Sequence, residues 1–457
     1  MTKTILLLSL LFFSGCSSIS SDQLSSDART ATQRVPQEIL PLSGSFKVNR
    51  IQFENGLRLL VVEDHSSPTF AYQTWFKVGS RNEVPGKTGL AHLFEHLMFK
   101  ESKNLKDGDF DRLLESAGAE GENAFTSRDY TAYIQEMPAT QLELIIKAES
   151  ERMTQVIVND QSFKTEREVV QNERRFRNEN SPDGIMDQEL FQLAFRQHPY
   201  HWPVIGYQQD LDSMSARDAS QFYRTFYAPN HATIVVVGDV KTEVVRDLVK
   251  KHYGSLVSQP TPEAIQIAEP NQTDPRRKQL ALNIQVEKLL IGYKIPGFTN
   301  DDMPTLDVIQ NLLTGGKNNR LRDALVETGI ASSVGSYDFE DRDPSLFIIM
   351  ANLQKGKQAG KAEKIILRQL KQLSRELVSS AELQRAKNKS QFSFYQGLES
   401  NYEKAYFLGT YESLAGHFNA GLLHEKRVAA VTARDVRRVA QRYFQPQSRT
   451  VITGVKK

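Results

Sequence analysis

A single cysteine, Cys16, occurs among the 457 residues, so the chain can form no intramolecular disulfide and no thiolate-rich zinc cluster. Any metal it binds must be held by His, Asp or Glu. Charge of one sign is also missing. A net charge of +2, with 25% charged residues, gives no basic field for nucleic acid, and 39% hydrophobic residues exclude a wholly disordered chain. The apolar stretch Ile5 to Phe13 is too short to span a membrane, which takes roughly 20 residues as a helix.

What is present begins with that same stretch. Lys3 followed by Ile5 to Phe13 has the build of a signal-peptide core, which makes residues 1–15 an export signal. Phe13-Ser14-Gly15-Cys16 resembles a bacterial lipobox. The resemblance implies that Cys16 becomes the lipidated first residue of the mature protein. Ser17, rather than Asp, after it implies the periplasmic face of the outer membrane, with a soluble periplasmic protein as the alternative. More than one acyl chain on a residue gives stable anchoring. Residues 16–43 are rich in Ser, Thr, Gln and Asp without periodicity, which reads as a flexible tether.

A chain of this length is expected to fold as two or more units. It carries a duplication. Ser215-Ala216-Arg217-Asp218, Phe226-Tyr227, Pro229 and the run Thr233 to Gly238 return as Thr432-Ala433-Arg434-Asp435, Tyr443-Phe444, Pro446 and Thr450 to Gly454, at a constant offset of 217 positions. Pro260, Pro262, Pro270 and Pro275 lie among polar residues between the copies, so residues 258–277 read as a linker. It divides an N-terminal unit, 44–257, from a C-terminal unit, 278–457.

Leu57 to Glu63 and Ala71 to Val78 have strand composition, Gly89 to Phe99 reads as a helix, and Asn123 to Glu136 reads as two strands around Ser127-Arg128-Asp129. Helical signals then cover Leu142 to Val158 and Phe163 to Arg177. Strands first and helices after, in a repeated unit, predict an α+β fold. It consists of two homologous α/β-sandwich domains, each a largely antiparallel sheet with helices on one face.

The chemistry concentrates in His92-Leu93-Phe94-Glu95-His96. Histidines four apart project from one face of a helix, one turn apart, and can reach one ion. With nine histidines in the chain, such a motif arises by chance in only about one chain of this kind in a hundred. Zinc suits imidazole and carboxylate donors, and a catalytic site keeps one position open for water, whose proton the adjacent Glu95 can accept. A third protein ligand is required. Glu166 and Glu173, seven apart on the predicted helix, share a face, so one can bind metal while the other supports the catalytic site. Spacing does not say which does which.

Four stretches resemble the inverzincin metallopeptidases, the pitrilysin and insulinase family that includes the mitochondrial processing peptidases. They are Gly89 to His96 with Met98-Phe99-Lys100, Asn123-Ala124-Phe125-Thr126-Ser127, Glu166 to Glu173, and His198-Pro199-Tyr200 with Pro203 and Gly206. The resemblance spans roughly Val48 to the C-terminus. It implies a zinc endopeptidase acting on peptides or unfolded polypeptides. His92, His96 and Glu173, 77 positions after His96, would be ligands, with Glu95 as catalytic base and Glu166 as the supporting glutamate of the catalytic site.

The resemblance further implies that Asn123, Ala124 and Phe125 form an edge strand that pairs with an extended substrate. Family members close a chamber from two such units, which implies a homodimer or a heterodimer with a metal-free relative. Their second unit supplies an Arg and Tyr pair to the substrate. Tyr293 is the candidate tyrosine, but Val286 stands where the arginine belongs. Gly315-Gly316 resembles the family's glycine-containing turn. No His-x-x-Glu-His occurs in the second half, and relatives without the active constellation serve as scaffolds or partner subunits. A non-catalytic scaffold is therefore the alternative function.

Overall fold

The apolar runs read as strands make the middle of a seven-stranded sheet in a structure, a computed structural model, that describes residues 36–263 and 265–457. Residues 1–15, read as an export signal, and Cys16 lie outside the described residues. The first sheet holds β1 (Gln37–Pro41), β2 (Lys47–Gln52), β3 (Arg58–Glu63), β4 (Thr69–Phe76), β5 (Glu120–Thr126), β6 (Thr131–Pro138) and β7 (Ala232–Gly238). The second holds β8 (Arg276–Leu282), β9 (Lys288–Ile295), β10 (Ala331–Asp338), β11 (Ser345–Leu353) and β12 (Arg449–Lys456). The helices before the second sheet are α1 (Leu90–Leu97), α2 (Asp109–Ser116), α3 (Leu142–Gln155), α4 (Asp160–Arg174), α5 (Pro182–Ala194), α6 (Gln208–Ser213), α7 (Ala216–Phe226) and α8 (Thr242–Tyr253). Those after it begins are α9 (Met303–Thr314), α10 (Ala359–Arg375), α11 (Ser380–Gln396), α12 (Asn401–Ala415), α13 (Asn419–Ala430) and α14 (Ala433–Tyr443).

The duplication seen in the sequence is a duplication of topology. The first sheet runs β1-β2-β3-β7-β4-β6-β5 and the second, read from its far edge, β8-β12-β9-β11-β10. In each half the last strand inserts between two earlier ones, parallel to the first and antiparallel to the second: β7 between β3 and β4, β12 between β8 and β9. The two copies of the Ser/Thr-Ala-Arg-Asp motif start α7 and α14 in the same way. The Ser215 and Thr432 hydroxyls accept from the N–H of Asp218 and Asp435, whose carboxylates return the bond.

Helices cover the outer face of each sheet, as expected, but the inner faces are covered too, and by exchange. Helix α5 from the first half lays Met186, Leu190 and Phe191 on Leu290, Ile348 and Ile452 of the second sheet. Helix α12 from the second half lays Ala405 and Leu408 on Leu60, Val62, Ala71 and Trp75 of the first. This is why β4 and β7 are buried along nearly their whole length rather than on alternate residues. The approach is close: a Cβ on Gly409 would sit 2.1 Å from the Trp75 ring, so only glycine fits there in the middle of α12.

Two segments differ from, or add to, the sequence reading. Gln37–Pro41, read as part of a flexible tether, instead pairs antiparallel with β2. Gln37 to Pro41 are exposed apart from the half-buried Leu40 and show no alternation of polar and apolar residues, so the strand is set by its partner rather than by its own residues. Between α8 and β8 no helix or strand forms among the described residues, and Glu269 pins this connection. Its carboxylate accepts from the N–H groups of Arg196, Gln197 and His198 and pairs with Lys294 at 3.0 Å.

Burial disfavours the Glu269 charge, but the three N–H groups and Lys294 outweigh it and hold the carboxyl down to about 2. A folded-state value below the usual 4.5 means stability that is complete above about pH 4.5 and lost as pH falls toward 2. Glu269→Gln should therefore cost about 1–2 kcal/mol near pH 7, after allowance for partial exposure. In urea melts across pH, the difference from the parent should shrink below pH 4 and vanish near pH 2.

Candidate metal centre

Helix α1 presents its chemistry because its two faces differ. Leu90, Leu93, Phe94 and Leu97 enter the core under the first sheet, and His92, Glu95 and His96 take the other side. The start of the helix is fixed tightly. The buried Glu83 carboxylate accepts from the N–H of Gly89 and Ala91 at 2.9 and 2.8 Å, using two of the orphan donors of the first turn. Asp210 holds Thr88 just before it, through the hydroxyl at 2.6 Å. Gly89 has φ +90°, and a Cβ there would lie 2.4 Å from the Ile205 carbonyl oxygen, so glycine is required at this junction.

Helix α4 brings the two glutamates to α1, and the structure separates their positions. Glu173 Oε2 lies 3.5 Å from His96 Nε2 and 3.8 Å from His92 Nε2, and the three donor atoms all lie within 4.8 Å of one another. Among the described residues no other group of three or more His, Cys, Asp or Glu converges in this way. Glu166 sits behind His96, with Oε2 3.3 Å from its Nδ1 and Oε1 2.8 Å from Lys100 Nζ. In the neutral ring a carboxylate at Nδ1 places the proton there and leaves the Nε2 lone pair facing His92 and Glu173. The second Glu173 oxygen is taken by Arg177 at 2.7 Å, on the π-helical turn Arg175–Glu179 that extends α4.

These donors fit zinc. Tetrahedral coordination at ~2.1 Å puts ligand atoms about 3.4 Å apart, and the Glu173 to histidine separations are 3.5 and 3.8 Å. The set is two imidazoles and one carboxylate, which is the composition of open, catalytic sites.

Glu95 stands beside this group. It accepts from the Thr126 hydroxyl of β5 at 2.5 Å, and burial pushes its carboxyl up to about 7. For His96, burial works against the charge, but Glu166 and Glu173 outweigh it and raise the ring to about 9. His92 moves the other way, to about 4, through burial and then the neighbouring His96.

The centre opens into a cleft of about 510 Å³, walled by Asn123 to Thr126 of β5. That strand ends the seven-stranded sheet, so its outer side has no strand partner among the described residues. Other wall residues were not singled out by the sequence. Besides Arg177 they include Arg128, whose guanidinium lies 4.0 Å from the Phe191 ring centroid and 4.3 Å from that of Phe339. Only a turn signal marked Arg128, because its partners come from α5 and the β10–β11 connection, far away in sequence.

His198-Pro199-Tyr200 turns out to anchor that turn. Tyr200 donates to Asp129 at 2.8 Å, and His198 Nε2 lies 3.0 Å from Asp343 of the second half. Tyr293 is a correction. It is 1% exposed in the core beneath the helices of the second half, edge-on to Phe444 at 5.2 Å, and does not line the cleft. On β9 it alternates inward with Leu289, Ile291 and Ile295, so the pleat that made it look like a strand residue also removes it from substrate.

The second half holds a counterpart of α1. Helix α9 packs on β10 and α11 as α1 packs on β5 and α4, and it turns Asp307, Gln310 and Asn311 toward a cavity at the spacing of His92, Glu95 and His96. Gly315 ends that helix and Gly316, with φ +72°, makes the turn that follows.

Two family descriptions match successive parts of the chain. The family description "Insulinase (Peptidase family M16)" matches residues 58–207, and "Peptidase M16 inactive domain" matches residues 213–390. The chain is 32% identical over 415 residues to Zinc protease PqqE of Helicobacter pylori, covering 89% of this chain and 92% of that one. It is 25% identical to the uncharacterized zinc protease YmxG of Bacillus subtilis, covering 81% and 89%. Among solved structures, a protease from Helicobacter pylori superposes with a TM-score of 0.85 at 32% identity, over 90% of this chain and all of that one. The first half of the periplasmic protease PqqL from Escherichia coli shares the fold at 19% identity, with a TM-score of 0.75 over 92% and 94%.

Proposed function

Since the chain belongs to the insulinase (M16) peptidase family, we propose that it is a zinc-dependent endopeptidase that hydrolyses peptides or unfolded polypeptides. The observation that carries the reading is the convergence of His92, His96 and Glu173 beside a buried Glu95, in a cleft walled by a strand that, among the described residues, forms the edge of its sheet.

In this reading His92 Nε2, His96 Nε2 and Glu173 Oε2 hold the ion. Zinc, when bound, supplies a Lewis acid that polarises the scissile carbonyl and makes a water molecule acidic near neutral pH. The chain's own residues do the rest. An extended substrate lies along β5, main chain to main chain, with Asn123, Ala124 and Phe125 offering the side-chain surface. Glu95, held by Thr126, accepts the proton of the attacking water at its carboxylate and returns it to the leaving amine. Glu166 keeps the His96 ring and tautomer fixed from behind and does not line the cleft, so it acts as a positioning residue.

The remaining parts of the reading are an export signal over residues 1–15, lipid on Cys16 at the periplasmic face of the outer membrane, and assembly with a second copy or a metal-free relative. The C-terminal half then serves as a wall and not as a second centre, in keeping with Asp307, Gln310 and Asn311 where a motif would stand.

The test uses the full chain on a mixture of unfolded peptides, with and without chelator. We expect about one zinc per chain and cleavage that falls at least a hundredfold on chelation and returns with added zinc. Cleavage that persists without metal would overturn the reading, and zinc without cleavage would favour the scaffold alternative.

A further inference from the structure

A cavity larger than the metal cleft lies apart from it. It lies in the second half, about 940 Å³, between α9, β10, α11, α12 and α13. Its polar groups are acidic and incompletely paired. Asp307 of α9 pairs with His424 of α13, and Glu340 accepts from the Tyr411 hydroxyl at 3.2 Å. Asp338 Oδ2 is buried with no hydrogen-bond partner among the described residues. The Thr410 hydroxyl, in a residue only 7% exposed, has none either. Both residues line this cavity. Glu425 and Lys389 of α11 also line this space, with the Lys389 Nζ lying 5.4 Å from the centroid of the Phe392 ring.

Two features narrow what could satisfy these groups. The acidic atoms do not converge: the only metal-like cluster among the described residues is the one at His92, His96 and Glu173, so a compact divalent ion is not what the cavity is shaped for. The walls also carry aromatic side chains, Phe394, Tyr402, Tyr406 and Phe407. A ligand with a cationic tip and an apolar stem matches both, since the stem packs on ring faces while the charge meets oxygen.

We propose that this cavity binds an alkylammonium group, with the ammonium donating to Asp338, Glu340 and the Thr410 hydroxyl and the methylene chain lying among the aromatic side chains. The source is either a free polyamine or the lysine side chain of a polypeptide. Burial and the mutual repulsion of the carboxyls raise Asp338 and bring Glu340 to about 7, a strain that a bound cation relieves. The proposal does not rest on the metal centre.

The test is calorimetric titration of the full chain, in chelator, with cadaverine, with spermidine, and with a capped pentapeptide carrying one lysine beside its norleucine analogue. We expect saturable binding of the amines, of the lysine peptide, or of both, and none of the norleucine peptide. Binding of the amines alone assigns the site to a small molecule, and binding of the peptide alone assigns it to polypeptide handling. Asp338→Asn and Glu340→Gln should each weaken binding at least tenfold with the thermal melt retained. Thr410→Val, the milder change, should weaken it several-fold and serves if either acidic variant fails to fold. No binding of any amine probe, or equal binding by the folded variants, would overturn the proposal.

Discussion

Glu95→Gln should lower kcat on unfolded peptides by about 10²–10⁴-fold while zinc content and KM stay close to the parent's. The substitution is isosteric, and the remaining carbonyl oxygen still accepts from Thr126, whose hydroxyl holds the side chain at 2.5 Å. What is lost is the basic oxygen. Glu95 is not one of the three converging donors, so metal retention is expected on geometry. Thermal stability should change little or rise slightly, because a carboxyl that burial pushes up to about 7 is replaced by a neutral amide. Stopped kinetics and metal analysis on the same preparation separate these outcomes. Near-normal turnover would remove Glu95 from the mechanism.

The second large effect distinguishes the two glutamates of α4. Glu173→Gln should abolish stoichiometric zinc binding and activity together, since its Oε2 faces both imidazoles. Glu166→Gln should keep the metal at high concentration but weaken its affinity by about 10–100-fold, the size of effect expected for a partner that orients a ligand. The geometry behind the contrast is that Glu166 meets His96 at Nδ1, the side away from Glu173. Competition with a zinc indicator measures both variants. Equal losses would mean that Glu166 shares the ion, and a larger loss for Glu166 would reverse the assignment.

Much of this centre could be read from the chain because it is local. Histidines one helical turn apart with a glutamate between them impose their own geometry wherever a helix forms, and the apolar Leu90, Leu93, Phe94 and Leu97 dictate which side faces the core. Glu173 and Glu166 were less legible: both lie on the correct face of α4, and only the approach angle of that helix to α1 separates them. The fold class and the duplication were visible in strand composition and in the repeated cap, aromatic pair and final strand.

The exchange of α5 and α12 between the halves was not visible. Unbroken apolar runs such as Thr233 to Gly238 announce a strand covered on both faces, yet carry no information on which helix covers it. Tyr293 shows the opposite limit. Its match to a substrate-binding tyrosine was one of chain position, and the pleat of β9 turned it into the core. The acidic cavity escaped notice because Asp307, Asp338, Glu340 and His424 are scattered over more than a hundred positions and meet only in the folded second half.

The central claim is that His92, His96 and Glu173 of one chain hold a single zinc ion. Anomalous diffraction from crystals of the zinc-loaded full chain, collected on both sides of the zinc absorption edge, tests it most directly. One peak per chain is expected, bounded by His92 Nε2, His96 Nε2 and Glu173 Oε2 and present only above the edge. A peak elsewhere, or no peak in a protein that still cleaves peptides, would contradict the account.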